Sequence, residues 1–161
     1  MAKVIFLIGG NLGDREQILK DSANYLEKDI GKVNQCSSIY ETEPWGFEHE
    51  LNFLNQVLAI ETKLSPLEVL ERTQSIEKIM GRIRKKNRYS ERTIDIDILF
   101  YDSQIYHSDH LEIPHPRIQE RMFALMPMNE ILPDLVHPIL NKTINELFNE
   151  CQDKLEVKRF V

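Results

Sequence analysis

A chain of 161 residues with 42% apolar and 29% charged residues has the composition of a soluble globular protein, and its length suits one domain spanning 1–161. No apolar run reaches the length of a membrane span, and a net charge of −6 argues against a general nucleic-acid binder. We therefore expect a cytoplasmic protein without a membrane or nucleic-acid partner. Because no stretch stands out as an exposed apolar seam, we also expect a monomer.

The first predicted elements are a strand, a glycine-rich turn and a helix. Residues Lys3 to Ile8 are apolar and β-branched, as in a buried strand, and the turn from Gly9 to Asp14 leads into a helix that runs to about Lys28. Asp14 is placed to cap this helix. The same order would suit a phosphate-binding loop, but the Gly-Lys-Ser/Thr ending of such a loop is missing, so we predict a structural turn.

Two more strands are expected, at Val33–Glu43 and at Phe53–Thr62. On the second strand Asn55 shares a face with apolar neighbours, so its amide needs partners, either backbone groups or the polar edge of a heterocycle. The loop between the strands contains Pro44 and Trp45 in a Pro-Trp-Gly-Phe sequence. Its large side chains either pack on the surface or are held ready for a flat ligand, and the sequence leaves both open.

A second helix is predicted from Ser65 to Gly81. Ser65 as N-cap with Glu68 three residues later forms a capping box. The expected buried stripe of this helix consists of Leu67, Leu70, Ile76, Ile79 and Met80. Gln74 and Glu77 lie one turn apart on a shared side, where they form either an exposed polar face or part of a site near Gly81.

The next stretch alternates isoleucine and aspartate strictly from Ile94 to Ile98. This pattern predicts a strand with its isoleucines in the core and with Asp95 and Asp97 together on the other face, roughly 6.5–7 Å apart along the chain. A wet strand face alone would give the same pattern. However, two carboxylates this close favour a cation between them, and hard oxygen ligands suit Mg²⁺, which proteins hold with one or two carboxylates plus nucleotide phosphates.

A basic segment lies directly before this strand. It contains Arg82, Arg84, Lys85, Lys86, Arg88 and Arg92. Arginine offers a planar, permanently charged fork that binds phosphate oxygens in pairs. A basic loop that leads into a strand with two carboxylates therefore predicts binding of a magnesium nucleotide and phosphate transfer.

The remaining sequence predicts a short strand at Gln104 to Tyr106, a proline-rich loop at 113–117, a short helix with Arg121 and Phe123, and packing helices. A zinc site among the histidines after Tyr106 is disfavoured, because their spacing matches no tight ligand pair. The order strand, helix, strand, strand, helix, strand predicts a ferredoxin-like α+β sandwich. Its sheet would be mainly antiparallel, with helices packed on it and extra C-terminal elements.

With these motifs in place, the sequence closely resembles the 6-hydroxymethyl-7,8-dihydropterin pyrophosphokinase family over nearly the whole chain. The resemblance rests on the segments Gly9–Asp14, Tyr40–Pro44, Phe53–Asn55, Gly81–Arg82, Arg92–Ile98 and Pro114–Arg117. It implies an enzyme that transfers pyrophosphate from ATP to the hydroxymethyl group of a reduced pterin and releases AMP, in folate biosynthesis.

The resemblance also implies roles for single residues. Asp95 and Asp97 would bind two Mg²⁺ ions, and Arg82 and Arg92 would contact the ATP phosphates as catalytic residues. The nucleotide site would further include Gln74, Glu77, Arg84, Ile98, His115 and Arg121. The pterin site would consist of Thr42, Pro44, Trp45, Phe53, Asn55 and Phe123. The loop from Arg82 to Arg92 would close on ATP as a lid.

Two other interpretations stay open at the sequence level. A metal-dependent nucleotidyltransferase also uses paired aspartates on a strand, but it needs a Gly-Ser turn upstream, where this chain has arginines and lysines. A ferredoxin-like RNA-binding module would stack bases on sheet aromatics, but the aromatic-glycine strand signature is missing and the net charge is acidic.

Overall fold

The computed structural model describes residues 1–43, 52–81 and 94–160. Its elements in chain order are β1 (Ala2–Gly10), α1 (Arg15–Asp29), β2 (Gly31–Cys36), β3 (Tyr40–Thr42), β4 (Phe53–Thr62), α2 (Pro66–Gly81), β5 (Asp95–Tyr101), β6 (Tyr106–His107), β7 (Glu112–Ile113), α3 (Met122–Ile131), α4 (Ile144–Glu150) and β8 (Val157–Arg159). A single 3-10 turn, Ile118–Glu120, precedes α3. No helix within these ranges is long and apolar enough to cross a membrane.

The main sheet has the strand order β5-β1-β4-β3-β8. Strand β2 also pairs with β4, at the other end of β4 from the residues that pair with β3. Strand β1 pairs antiparallel with both β4 and β5, and the pairs β2–β4, β3–β4 and β3–β8 are antiparallel as well. The remaining strands, β6 and β7, form a separate small ladder. This arrangement is the predicted ferredoxin-like α+β fold, with β1 next to the sheet edge that β5 forms.

The two main helices begin where their capping residues predict. The Asp14 side chain accepts a hydrogen bond from the Gln17 amide at 3.2 Å. Before α2, Ser65 Oγ accepts from the Glu68 amide at 3.3 Å and the Glu68 carboxylate accepts from the Ser65 amide at 2.9 Å. This reciprocal pair confirms the capping box, which satisfies amides that the first helical turn leaves without partners.

The two faces of the sheet are covered by different helices. Alternate residues of β1, β4 and β5 pack against α1 and α2 on one face, where Ile96 and Ile98 belong to the core cluster. On the other face Leu7, Val57 and Leu99 pack against α3 and α4. Because strand residues two apart share a face, the second face also carries Asn55 of β4 and Asp95 and Asp97 of β5.

Several predicted details differ from the structure. The strand expected at Val33–Glu43 is split into β2 and β3, because both pair with different parts of β4 and the buried Ser37 accepts from the Val57 amide between them. In α2, Leu67 and Ile79 are 48% and 37% exposed rather than buried. The buried stripe of α2 consists of Val69, Thr73, Ile76 and Met80. Thr73 can be buried because its hydroxyl donates to the Leu70 carbonyl within the helix at 2.8 Å.

Candidate active site

A cleft of about 880 Å³ lies on the sheet face that α3 and α4 cover only in part. Residues of β1, β4 and β5 form its floor, among them Gly9, Asn55 and Asp95. One wall comes from residues between Arg117 and Phe123, and the other from Thr42, Glu43 and the segment Glu150–Leu155. The cleft therefore combines polar strand residues with aromatic and charged walls.

Strand register explains how distant parts of the sequence meet on the floor. Gly9 on the inner strand β1 lies opposite Asp95 of β5 on one side and opposite Asn55 of β4 on the other. In the next row on the same face, Leu7 lies between Asp97 and Val57. Directly opposed residues project from the same face of a sheet, so both carboxylates and the amide share the cleft. The predicted placement of Asp95 and Asp97 on the face away from the core is confirmed.

Gly9 makes room for the Asn55 side chain. A Cβ atom at Gly9 would overlap Asn55 Oδ1 and would lie 3.0 Å from the Leu54 carbonyl oxygen. Glycine inside a strand often marks such a close approach. The Asn55 amide is buried against the backbone of β1, which separates it from the two aspartates of β5.

Four of the six residues predicted for the pterin are among the described residues, and all four line the cleft. Thr42 and Phe53 are cross-strand partners and both line it, as do Asn55 and Phe123. Thr42 is only 4% exposed, and its Oγ1 has no hydrogen-bond partner among the residues that the structure describes. A buried hydroxyl without a partner is costly, so this position favours a ligand with polar edge atoms. The two phenylalanines supply apolar surface for a flat ring.

The two carboxylates of β5 suit a magnesium ion held jointly with a substrate. Asp95 and Asp97 are half-buried on the cleft floor. Among the described residues, no group of three His, Cys, Asp or Glu side chains could hold a metal by itself. Two carboxylates leave several coordination positions to phosphate and water oxygens, which is how proteins usually hold Mg²⁺. The donor set fits this ion.

His115 stands near the arginine wall in its neutral form. Burial, followed by the positive charges of Arg121 and Arg117, lowers its pKa to about 4. Its Nδ1 accepts a hydrogen bond from the Arg117 amide at 3.2 Å. The proton of the neutral ring therefore resides on Nε2, which can donate to an anion. The Arg121 guanidinium lies 5.6 Å from the centre of the Phe123 ring, so a residue predicted for the nucleotide adjoins one predicted for the pterin.

Three residues predicted for the nucleotide lie on α2 and β5 and, like His115, are not among the residues that line the cleft. Glu77 of α2 accepts a hydrogen bond from the Ile96 amide, between the two aspartates, at 2.8 Å. Gln74 is exposed on the same helix, and the Ile98 side chain is buried in the core. Glu77 thus holds the backbone of the strand that carries Asp95 and Asp97. The nucleotide contacts of these three residues stay predictions.

Comparison with known proteins now decides the family. The family model for 7,8-dihydro-6-hydroxymethylpterin-pyrophosphokinase (HPPK) matches residues 5–133. The chain belongs to the HPPK family. A 2-amino-4-hydroxy-6-hydroxymethyldihydropteridine pyrophosphokinase of Porphyromonas gingivalis is 43% identical over 143 residues, which cover 86% of this chain and 95% of that one. The enzyme of the same name from Aquifex aeolicus is 38% identical over 146 residues, covering 91% and 90% of the two chains.

The fold of the HPPK family member agrees with solved structures. A crystal structure of a triple mutant of Plasmodium falciparum HPPK-DHPS superposes with a TM-score of 0.76 at 20% identity. The match covers 92% of this chain but only 43% of the longer solved chain. At this identity the likeness shows the fold alone. Family membership leaves the nucleotidyltransferase and RNA-binding interpretations without support.

Some site residues that the HPPK resemblance implies lie outside the described residues. These are Pro44, Trp45, Arg82, Arg84 and Arg92. The lid expected between Arg82 and Arg92 also lies there. Their roles stay predictions.

Sequence reasoning missed the wall formed by the C-terminal segment, Glu150–Leu155. Asp153 in this segment accepts hydrogen bonds from the Met122 amide at the start of α3 and from the Leu155 amide, each at 3.0 Å. The segment carries no periodic or motif signal, because its role depends on contacts with residues about thirty positions earlier. Gly9 was treated as part of a turn. A glycine at the end of a predicted strand was the available signal for its close approach to another strand.

Proposed function

We propose that this protein transfers the pyrophosphoryl group of ATP to the hydroxymethyl group of 6-hydroxymethyl-7,8-dihydropterin and releases AMP, as a step of folate biosynthesis. Membership in the HPPK family supports this reaction. One observation connects this reaction with particular residues: Asp95, Gly9 and Asn55 lie directly opposite one another on the neighbouring strands β5, β1 and β4. That row and the next one, which contains Asp97, support the proposal because they bring two carboxylates and an amide to the floor of one cleft.

The pterin is proposed to lie at the Thr42 and Asn55 end. A pterin ring is flat, has apolar faces and carries donors and acceptors around its edge. Phe53 and Phe123 would contact its faces, and the buried Thr42 hydroxyl and the Asn55 amide would bond its edge. Pro44 and Trp45 are proposed to complete this site.

The ATP phosphates are proposed to lie over Asp95 and Asp97. Two Mg²⁺ ions held there would neutralise phosphate charge. The neutral His115, which accepts from the Arg117 amide, would donate from Nε2 to a phosphate oxygen, and Arg121 would add positive charge from the cleft wall. Three further arginines, Arg82, Arg84 and Arg92, are proposed to bind the phosphates, and Gln74, Glu77 and Ile98 are proposed to bound the nucleotide site.

The pterin hydroxymethyl oxygen would attack the β-phosphorus of ATP in line. The bond from the β-phosphorus to the oxygen that bridges it to the α-phosphorus breaks, AMP leaves, and the hydroxyl proton passes to solvent. The side chains would hold both substrates in position and stabilise the negative charge on the transferring group. Positioning and electrostatic stabilisation of this kind can supply most of the reduction in the activation free energy of a phosphoryl transfer. We further propose that the enzyme is a cytoplasmic monomer without a nucleic-acid partner, in keeping with its acidic net charge.

Product analysis tests the proposed function. The protein is incubated with Mg-ATP, with and without the reduced hydroxymethylpterin, and the nucleotides are separated. We expect AMP only when the pterin is present. Formation of ADP would identify a simple kinase, and AMP formation independent of the pterin would be ATP hydrolysis, so either result contradicts the proposal.

Replacement of a metal carboxylate tests the placement of the reaction. Asp97→Ala is expected to lower the rate of AMP formation by at least roughly 100-fold, because the metal site loses half of its protein charge. Asp109→Ala removes an exposed aspartate outside the cleft and is the matched control. If both variants form AMP at the rate of the unmodified protein, the reaction does not take place over Asp97.

A further inference from the structure

Arg15, the first residue of α1, makes three contacts outside its own helix. Its Nη1 donates to the Asn52 carbonyl oxygen at 2.8 Å and lies 3.3 Å from Glu41 Oε2. Its Cζ lies 5.6 Å from the centre of the Phe160 ring. The arginine side chain is only 18% exposed and that of Glu41 30% exposed, so the ion pair is partly shielded from solvent. A charged hydrogen bond in such a place is stronger than a surface pair.

The two bonded residues flank the pterin end of the cleft. Glu41 directly precedes Thr42 on β3, and Asn52 directly precedes Phe53 on β4. Thr42 and Phe53 are the last partners of the ladder between these strands, and both line the cleft. Arg15 therefore joins the residues next to this pair on both strands.

The ladder needs such support because it is short. Strand β3 has three residues, and its pairing with β4 ends at Thr42. On its other side β3 pairs with β8 over the same three residues, so Arg15 adds its support on the β4 side, at a ladder end that would otherwise open easily. Glu41 and Thr42 project from opposite faces of the strand. Arg15 therefore binds Glu41 on the face away from the cleft that Thr42 lines. Its effect on a ligand must pass through the positions of Thr42 and Phe53.

We propose that Arg15 is a positioning residue for the pterin: it fixes the open end of the β3–β4 ladder and thereby the wall on which the pterin binds. This inference rests on the proposed function. It gives Arg15 no part in nucleotide binding, because the aspartates proposed for the metal ions lie on β5, across the inner strand β1. Loss of Arg15 should lower the affinity for the pterin and leave the affinity for the nucleotide nearly unchanged.

Direct binding separates this role from a general loss of structure. The reduced hydroxymethylpterin is titrated by calorimetry into the protein saturated with Mg²⁺ and an ATP analogue with a methylene bridge between the α and β phosphates. Affinity for the analogue is measured separately. We expect Arg15→Ala to raise the pterin Kd roughly tenfold or more. The Kd of the analogue should change less than twofold, and Arg15→Lys, which keeps the charge and a donor, should restore part of the affinity.

Arg72→Ala is the matched control. Arg72 Nη1 also donates to a backbone carbonyl, that of Asp29, at 2.8 Å, but it joins α2 to the end of α1 away from the cleft. This variant should bind the pterin like the unmodified protein. If Arg15→Ala does not stay folded at the assay temperature, Glu41→Gln removes the ion pair more gently and should raise the pterin Kd in the same selective way.

Three outcomes are distinguishable. If Arg15→Ala lowers the affinities for the pterin and the analogue equally, the positioning role is overturned while the proposed reaction stands. The same holds if Arg15→Ala and Arg72→Ala lose equal pterin affinity. Unchanged pterin affinity in folded Arg15→Ala would overturn it as well. Failure of the unmodified protein to bind the pterin, or to form AMP from ATP, would overturn the proposed function itself and the inference with it.

Discussion

At the scale of single residues, Gly9 and Asn55 show how a missing side chain shapes the site. The two residues are opposed on β1 and β4, and the Asn55 side chain occupies the space that a Cβ at Gly9 would need. The amide is thus packed against the backbone rather than free to rotate. A buried polar group held in one orientation binds a complementary edge without losing further side-chain entropy.

Gly9→Ala should therefore impair pterin binding more than nucleotide binding. The new methyl group displaces Asn55 Oδ1 and presses on the Leu54 carbonyl, at a cost of about 1–3 kcal/mol in the free energy of unfolding. We expect the pterin Kd to rise roughly tenfold or more. Calorimetric titration and urea denaturation measure the two effects.

Gly81→Ala provides the control for stability. A Cβ at Gly81 meets no atom of the described residues within 4 Å, and Gly81 closes α2. Alanine favours the helix more than glycine does, so this variant should be as stable as the unmodified protein or slightly more stable. Unchanged pterin affinity in Gly9→Ala would show that the Asn55 amide is not held by this contact.

At the scale of elements, α3 depends on a cap from a distant segment. Its N-cap residue, Arg121, makes no side-chain capping bond, and Asp153 instead accepts from the Met122 amide. The same carboxylate accepts from the Leu155 amide and so orders the C-terminal wall of the cleft. One aspartate therefore fixes both the first turn of α3, which carries Phe123, and the segment beside it.

Asp153→Ala should cost about 0.5–2 kcal/mol in the free energy of unfolding, the usual range for loss of a helix cap. Because the first turn of α3 carries Phe123, pterin affinity should fall as well. Thr143→Ala is the matched control, since it removes the local capping box of α4 and leaves the first turn of α3 untouched. Equal effects of both variants on pterin affinity would mean that the cap of α3 does not position Phe123.

At the scale of the whole molecule, local patterns predicted the frame of the site, and non-local contacts did not follow from them. Alternation predicted the strand with Asp95 and Asp97, and capping residues predicted α2, because these signals lie within a few neighbouring positions. The packing of Gly9 against Asn55 and the cap of α3 by Asp153 join residues 46 and 31 positions apart, so no local pattern identifies the partner in either contact. Strand β8 was missed because three residues, two of them charged, give no periodic signal.

The resemblance to the family supplied the identity of the ligand, which neither the sequence patterns nor the geometry of the cleft contain. The amide of Asn55 and the hydroxyl of Thr42 indicate a ligand with polar edge atoms, but they do not distinguish a pterin from another heterocycle. The family identifies the pterin, and the structure then shows which buried groups surround the place proposed for it.

The whole fold should lose stability in mild acid because two histidines are kept neutral. Burial lowers the pKa of His137, whose Nδ1 accepts from the Ile139 and Leu140 amides, and burial with two arginines lowers that of His115 to about 4. The unfolded chain takes up these protons near pH 6.5, whereas folded His115 does so only near pH 4. Between these values the unfolded state binds more protons, so the free energy of unfolding must fall as the pH falls.

Urea denaturation at intervals from pH 7 to pH 5 measures this loss. The window lies above the region in which carboxylates with lowered pKa values, such as that of Glu130, are protonated. His115→Gln, which cannot be protonated, should reduce the slope of the unfolding free energy against pH in this range. A slope that stays the same in the variant would mean that His115 is charged in the folded protein, and it would then approach the ATP phosphates as a cation rather than as a neutral donor.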